Sequence, residues 1–329
     1  MRVVALEEHF VTEPVLQAWR ETDTQWQDLA LTPSQEGRSG HLLAQLGPER
    51  LTVMDDSGVD VQVLSLSTPG VQNLAPALGI ALQTETNDLL HDLIGSSPTR
   101  FQGFATLATS SPDHAARELD RAVRTLHLDG AMLFGRSRGR NLDHHDFWPI
   151  FEAASALRSP LYLHPQSPPP AVRGSYYDGF GDAIDAGFAT HAIGWHYDTA
   201  VVILRMMLAG VFDRFPDLQL ITGHWGELML FYLDRIDQLA AVAKLPRKPS
   251  EYVRGQLYVT PSGILSQRYL RWALEVIGAD RILFATDYPF VPLKKDASRR
   301  FLDEANISER ERDLISSGNW QRLRARVRR

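Results

Sequence analysis

Residues 158–165 read Arg-Ser-Pro-Leu-Tyr-Leu-His-Pro. The apolar centre of this stretch, Pro160–His164, is short, has no water-facing side, and is bounded by prolines. That is the pattern of a strand covered on both faces, as in a parallel sheet. It ends in an imidazole. Runs of the same kind lie on either side: Arg2–Glu7, Val59–Ser65, Gln102–Leu107, Gly130–Phe134, Leu218–Gly223, Gln256–Thr260 and Ile282–Thr286. Helix-like segments separate them: Leu74–Ile94, Pro112–Leu126, Asp146–Ala156, Thr199–Phe212, Glu227–Val242 and Ser266–Ile277. Strands alternating with helices indicate a parallel α/β sheet. Eight such strands in one chain predict a closed (β/α)8 TIM barrel.

At roughly 150 residues per domain, 329 residues suggest two domains. A single α/β barrel, however, uses about 200 to more than 400. No composition break, repeat or low-complexity tract divides the chain, so residues 1–329 read as one domain. Two stretches exceed ordinary connections. Trp19–Arg50 follows strand 1, and the Pro-rich Gln166–Asp182 follows strand 5. Both read as insertions over the barrel mouth, the second as an active-site loop or lid.

The chain has no cysteine. Disulfides, iron–sulfur clusters, thiolate zinc sites and cysteine nucleophiles are therefore excluded. Any transition metal must be held by His, Asp and Glu. A net charge of −6 argues against nucleic-acid binding. The cluster Arg322, Arg324, Arg326, Arg328 and Arg329 reads as a solvated helix end whose cations suit the negative end of the helix dipole. The longest apolar stretch, residues 201–212, is interrupted by Arg205 and is too short to cross a bilayer. The opening residues form a strand followed by two carboxylates, not a secretory leader. The expectation is a soluble, cytoplasmic protein with neither nucleic-acid nor membrane partners. No Walker-type phosphate loop and no G-x-S-x-G elbow is present.

In a TIM barrel, chemistry lies at the C-terminal ends of the strands. Strand 1 ends in Glu7-Glu8-His9, and alternation sends Glu7 and His9 to one face and Glu8 to the other. Strand 5 ends in His164, strand 6 runs into His224, and strand 8 ends in Asp287. Imidazoles and carboxylates converging on one mouth are costly if dry and unpaired. A divalent cation removes that cost, and these side chains are suitable ligands.

The pattern Glu7-x-His9, His164, His224 and Asp287 at strands 1, 5, 6 and 8 resembles the amidohydrolase superfamily. The start VVALEEHF and the end RILFATDYPF are similar to its metal-dependent aromatic acid decarboxylases, the branch of γ-resorcylate, 2,3-dihydroxybenzoate and 5-carboxyvanillate decarboxylases. So are the stretches around NLDHHDFWPIF and GVFDRFPDLQLITGHWGE, and the resemblance runs from Val3 to Asn319. It implies that Glu7, His9, His164 and Asp287 ligate one metal ion, zinc or manganese, with no organic cofactor. It makes Asp287 the proton donor, and His224, supported by Glu227, a catalytic residue beside the metal. Glu227 three residues after His224 also suits the first turn of a helix starting near Gly226. Arg235 is implied as a substrate contact, in some relatives across a subunit boundary. Phe134, Trp195 and Phe290, with Trp26 and Tyr177, are candidates for the walls of an aromatic pocket. A homodimer or homotetramer is implied.

Some features depart from this branch. Phe134-Gly135 stands where many relatives carry Asn-Gly, the following loop holds Arg136, Arg138 and Arg140, and Trp320 follows Gly318-Asn319 where alanine is usual. The expected reaction is non-oxidative decarboxylation of a small ortho-hydroxylated aromatic acid. The alternative is hydrolysis or hydration of an ester, lactone or amide at the same metal. A barrel that binds a ligand without catalysis is the third reading.

Overall fold

Every apolar run of the sequence is a strand in the computed structural model, which describes residues 1–329. They are β1 (Val4–Phe10), β2 (Val61–Leu66), β3 in two pieces (Phe101–Gly103 and Ala105–Thr106), β4 (Ala131–Phe134), β5 (Leu161–His164), β6 (Leu220–Thr222), β7 (Leu257–Val259) and β8 (Phe284–Ala285). All pair in parallel, in the order β8-β1-β2-β3 and then β3-β4-β5-β6-β7. The two arcs join at Phe104, whose N–H donates to Leu64 O at 2.9 Å while Ala105 N–H donates to Gly130 O at 2.8 Å. They join again where Leu283 N–H reaches Val259 O at 2.9 Å. The sheet is therefore a closed eight-stranded barrel, as the strand count predicts.

Alternation along the strands builds two apolar layers. Val4 and Leu6, Val61 and Val63, Met132 and Phe134, and Leu283 and Ala285 belong to the inner cluster. Their neighbours Val3, Ala5, Leu64, Leu133 and Leu163 belong to the outer cluster beneath the helices. This is the inward–outward pleat that a filled barrel requires. Trp320 and Leu323, on the helix Asn319–Arg324, join the inner cluster from below. The Trp320 ring meets Phe104 with centroids 5.5 Å apart, and its indole N–H donates to Gln102 Oε1 at 2.7 Å. The tryptophan that departs from the resemblance is thus the plug of the barrel floor.

The arginine-rich end is not the freely solvated helix terminus expected from the sequence. Arg324 and Arg329 both donate to the carboxylate of the buried Asp129. Arg328 N–H reaches Leu157 O at 2.7 Å. A buried carboxylate needs such partners, and two guanidiniums supply them.

The stretch after β1 folds as short helices, including Glu13–Glu21, Leu31–Gln35, Gly37–Leu43 and Pro48–Ser57. The stretch after β5 contributes Pro170–Tyr176 and Asp182–Gly187. The segment read as one helix over Thr199–Phe212 is two, Gly194–Leu208 and Val211–Arg214, broken at Gly210, whose φ is 78°. No helix is long and apolar enough to cross a membrane.

Candidate metal centre and active site

The inner layer of β1 runs Val4, Leu6. Strict alternation would place Glu8 inward next. Instead the register against β2 shifts between Ala5 and Glu8, and Glu7 sits at φ 62°. This bulge resets the phase of the strand. Glu7 and His9 turn to the mouth together, as expected, and Glu8 faces away. There Glu8 accepts from Thr286 N at 2.8 Å, Thr286 Oγ1 at 2.6 Å and Gln62 Nε2 at 2.9 Å. Burial dominates its titration and pushes it up to about 8, against the pull of Thr286 and Arg50.

Glu7, His9, His164 and Asp287 bring one ligand-type atom each to within 4.8 Å of one another. His164 Nε2 lies 3.2 Å from Glu7 Oε1, and His9 Nε2 lies 3.5 Å from Asp287 Oδ1. Their other atoms are held from behind. Glu7 Oε2 accepts from Tyr162 at 2.5 Å and from Ser262. His164 Nδ1 faces Pro165 O and Thr68 Oγ1, each at 2.8 Å. A carbonyl only accepts, so Nδ1 carries the hydrogen and Nε2 offers its lone pair to the centre. Gly223 is needed beside them, since a Cβ there would come within 2.9 Å of Glu7 Oε1.

Glu7 Oε1 and His9 Nε2 are buried and have no hydrogen-bond partner. Orphaned polar atoms of this kind are rare in a folded interior. A carboxylate oxygen and an imidazole nitrogen, converging with His164 and Asp287, fit a divalent cation. Burial raises the Glu7 carboxyl, but the neighbouring His224 imidazole foremost reverses this and holds it well below the usual carboxylate range. Burial pushes the His9 imidazole down.

The next layer is His224, Glu227 and His196. The expected helix start at Gly226 is not found; the helix begins at Met229. Residues His224 to Leu228 instead form a turn with five successive positive φ values, of 48°, 59°, 86°, 53° and 66°. Four of these residues carry side chains, for which this region is disfavoured. The turn is tied down by His224 N–H to Ser262 Oγ at 2.9 Å, Trp225 N–H to Thr260 O at 2.8 Å, and the Trp225 indole to Ile264 O at 2.8 Å. The left-handed turn, rather than helical spacing, swings Glu227 back to His224. Glu227 Oε1 lies 2.8 Å from His224 Nδ1, and Oε2 lies 2.7 Å from His196 Nδ1. His196 Nε2 faces His191 O at 3.0 Å. Burial works against both charges, yet attraction across the pair wins. Glu227 is drawn down to about 2, and His224 is held up at about 10 by Glu227 and Glu7. His224 Nε2 is 4.0 Å from Glu7 Oε1, so the pair abuts the four-residue centre.

His196 was not foreseen in the sequence. It lies on the helix Gly194–Leu208, away from any strand end, and only its neighbour Trp195 had marked that turn as part of the mouth.

Above this floor is a cavity of about 1090 Å³, reached by His164, His196, His224 and Asp287 and walled by both insertions. Trp195 and Phe290 line it, as anticipated. Phe134 does not. It is buried beneath the floor, its ring 5.7 Å from that of His164, with its backbone clasped by Gln72. Trp26 and Tyr177 are likewise outside the lining. Arg235 lies exposed on the outer helix Met229–Ile236, away from the cavity and without an ion-pair partner in its own chain. The basic loop after β4 is spent on support: Arg136 pairs with Asp198 at 2.5 Å and donates to Ser167 O at 2.6 Å. Ser167 also donates to Asp28 Oδ1 at 2.7 Å, and its N–H reaches Asp28 Oδ2 at 2.9 Å, so the two insertions are stitched together at the rim.

Residues 26–323 match the model of the amidohydrolase family. The chain belongs to this family. The γ-resorcylate decarboxylase of Polaromonas sp. (strain JS666) is 37% identical to it over 97% of each chain. The amidohydrolase fold seen here superposes on 5-carboxyvanillate decarboxylase from Sphingomonas paucimobilis with a TM-score of 0.89, at 32% identity and 98% and 99% coverage. It also superposes on a dihydroxybenzoic acid decarboxylase from Polaromonas sp. JS666, crystallised with manganese and the inhibitor 2-nitroresorcinol, with a TM-score of 0.86, 34% identity and 98% and 97% coverage.

Proposed function

We propose that this amidohydrolase is a metal-dependent, non-oxidative decarboxylase of an ortho-hydroxylated aromatic acid. The observation that carries the reading is the orphaned pair Glu7 Oε1 and His9 Nε2, converging with His164 and Asp287 under an aromatic-walled cavity. The relatives named for benzoate-type acids, one of them crystallised with manganese, support the same reaction. Glu7, His9, His164 and Asp287 would hold the cation, zinc or manganese. When bound, the ion favours the phenolate form of the substrate and orients it.

The remaining steps fall to the chain. Loss of CO2 from an aryl ring leaves an electron pair without stabilisation in the ring plane, so the ring carbon must be protonated first. The Asp287 carboxyl group accepts no hydrogen bond within the chain and lines the cavity, where it can deliver a proton. The proton goes to the carbon that bears the carboxylate, giving a dienone-like ring. The C–C bond then breaks, its electron pair restores aromaticity, and CO2 leaves. Asp287 recovers a proton from solvent. His224, fixed by Glu227, donates a hydrogen bond to the substrate and keeps it in register. Trp195 and Phe290 flank the ring and exclude water.

Arg235 cannot serve the cavity of its own chain. We place it on a subunit interface of a homodimer or homotetramer, supported by the exposed apolar side chains of Phe231, Tyr232 and Trp272 on the same face. The chain as a whole is read as one barrel unit. The test is a metal-depleted enzyme reloaded with manganese or zinc and given 2,6-dihydroxybenzoate in H2¹⁸O. Stoichiometric CO2 without ¹⁸O in the aromatic product supports decarboxylation. Solvent oxygen in the product, or activity without metal, overturns it.

A further inference from the structure

The four-residue centre and the His224 pair occupy only the floor of the cavity. Its far wall is built by the two insertions, through residues such as Leu31, Pro33 and Arg173, and by Ala186 and His191 just beyond the second. At about 1090 Å³ the cavity is at the top of the range that encloses drug-sized ligands, about 300–1,000 Å³. A single-ring hydroxybenzoate has little more than ten heavy atoms and leaves the insertion side unfilled.

One cation faces that space. Arg173, on the helix Pro170–Tyr176, is the sole arginine or lysine among the cavity-lining residues. Its guanidinium donates to no group in the protein and has no carboxylate within 4.0 Å, and its Nε is buried without a partner. Other arginines of the region are engaged: Arg136 with Asp198, and Arg138 with Asn73 O. Asp28, the buried carboxylate on the same wall, is taken up by Ser167 and Ala30 N–H. Arg173 is half-buried: its Nε–H has neither a protein acceptor nor access to solvent, and the planar fork that it belongs to suits a carboxylate.

Two anionic groups could meet it: the carboxylate that leaves as CO2, or a second one elsewhere on the substrate. The first belongs next to Asp287, on the floor. Strong binding of that carboxylate would also favour the charged ground state over departure of neutral CO2. We propose that Arg173 is the centre of a second, anion-binding subsite, and that the substrate is an extended diacid. Its hydroxybenzoate ring would sit on the metal floor, and an arm ending in a second carboxylate would reach the insertion wall. This rests on the decarboxylase reading for the orientation of the ring, but not for the existence of the subsite.

The test separates the two. Binding of two probes to the manganese-loaded enzyme is measured by calorimetry, with 5-(2-carboxyethyl)-2-hydroxybenzoate compared with 5-propyl-2-hydroxybenzoate. The expected result is at least a tenfold preference for the acidic arm, lost in Arg173→Gln and partly kept in Arg173→Lys. Thermal melts confirm that both variants fold. No preference in the unsubstituted enzyme, or a preference that survives in Arg173→Gln, overturns the subsite. Arg173-dependent preference without CO2 release would leave the subsite standing and remove the decarboxylase reading instead.

Discussion

His224 Nδ1 and Glu227 Oε1 stand 2.8 Å apart across a turn wound through five positive φ values. The second oxygen of the same carboxylate holds His196. Glu227 therefore fixes two rings with one side chain, and Glu227→Gln leaves an acceptor for only one of them and turns an N–H towards the other. We expect kcat to fall by about a hundredfold or more, with metal content unchanged. His196→Gln, which leaves the His224 contact in place, should cost about tenfold. Steady-state CO2 release and metal analysis on both variants check this ordering; equal losses would remove the relay through Glu227.

Asp287→Asn keeps an oxygen for the metal and loses the proton. Turnover should drop by about a thousandfold, while part of the metal binding remains. Near-normal activity in this variant would take the acid role away from Asp287.

The His224–Glu227 pair also sets a pH window for stability in the metal-free protein. Glu227 is lowered from 4.5 to about 2, so its contribution is complete above pH 4.5 and is lost as pH falls towards 2. His224 is raised from 6.5 to about 10, so its contribution is complete below pH 6.5 and is lost as pH rises towards 10. The stability gap between the unsubstituted protein and Glu227→Gln should be largest between pH 4.5 and 6.5, at about 3 kcal/mol. It should shrink on both sides. Urea titrations at a series of pH values measure it, and a flat gap would contradict the pairing.

Trp320→Ala opens a hole in the barrel floor and frees Gln102. Removing a fully buried tryptophan costs about 3–5 kcal/mol. The plug lies at the end of the barrel opposite the mouth, so kcat should change little at temperatures where the variant is folded. A variant as stable as the unsubstituted protein in urea would show that Trp320 is not packed as described.

Short, near-continuous apolar runs alternating with helical segments were enough to read the barrel from the sequence, because each strand is buried on both faces and shows it. The convergence of Glu7, His9, His164 and Asp287 was legible for the same reason: each stands just past an apolar run. The bulge at Glu7 was not, since alternation counted from His9 and from Leu6 gives opposite answers and only the register against β2 decides between them. The turn at His224 was read as a helix start, because its left-handed backbone is carried largely by residues with side chains, where glycine would have signalled it. His196 and Arg173 lie on helices packed over the mouth, and nothing local ties them to a strand end. The arginines of the tail have a partner, Asp129, nearly two hundred residues away in sequence, and no periodicity reports such a pairing.

The stitch between Asp28 and Ser167 bears on how this scaffold can be rebuilt. Ser167 accepts from Trp195 Nε1 at 3.2 Å and from Leu29 N–H at 3.3 Å as well as donating to Asp28. Transplanting either insertion alone into another barrel would strand a buried carboxylate or a buried hydroxyl. The two loops act as one transplantable unit: a graft keeps these rim contacts when it carries residues 23–35 and 165–198 together, with Arg136 beneath them.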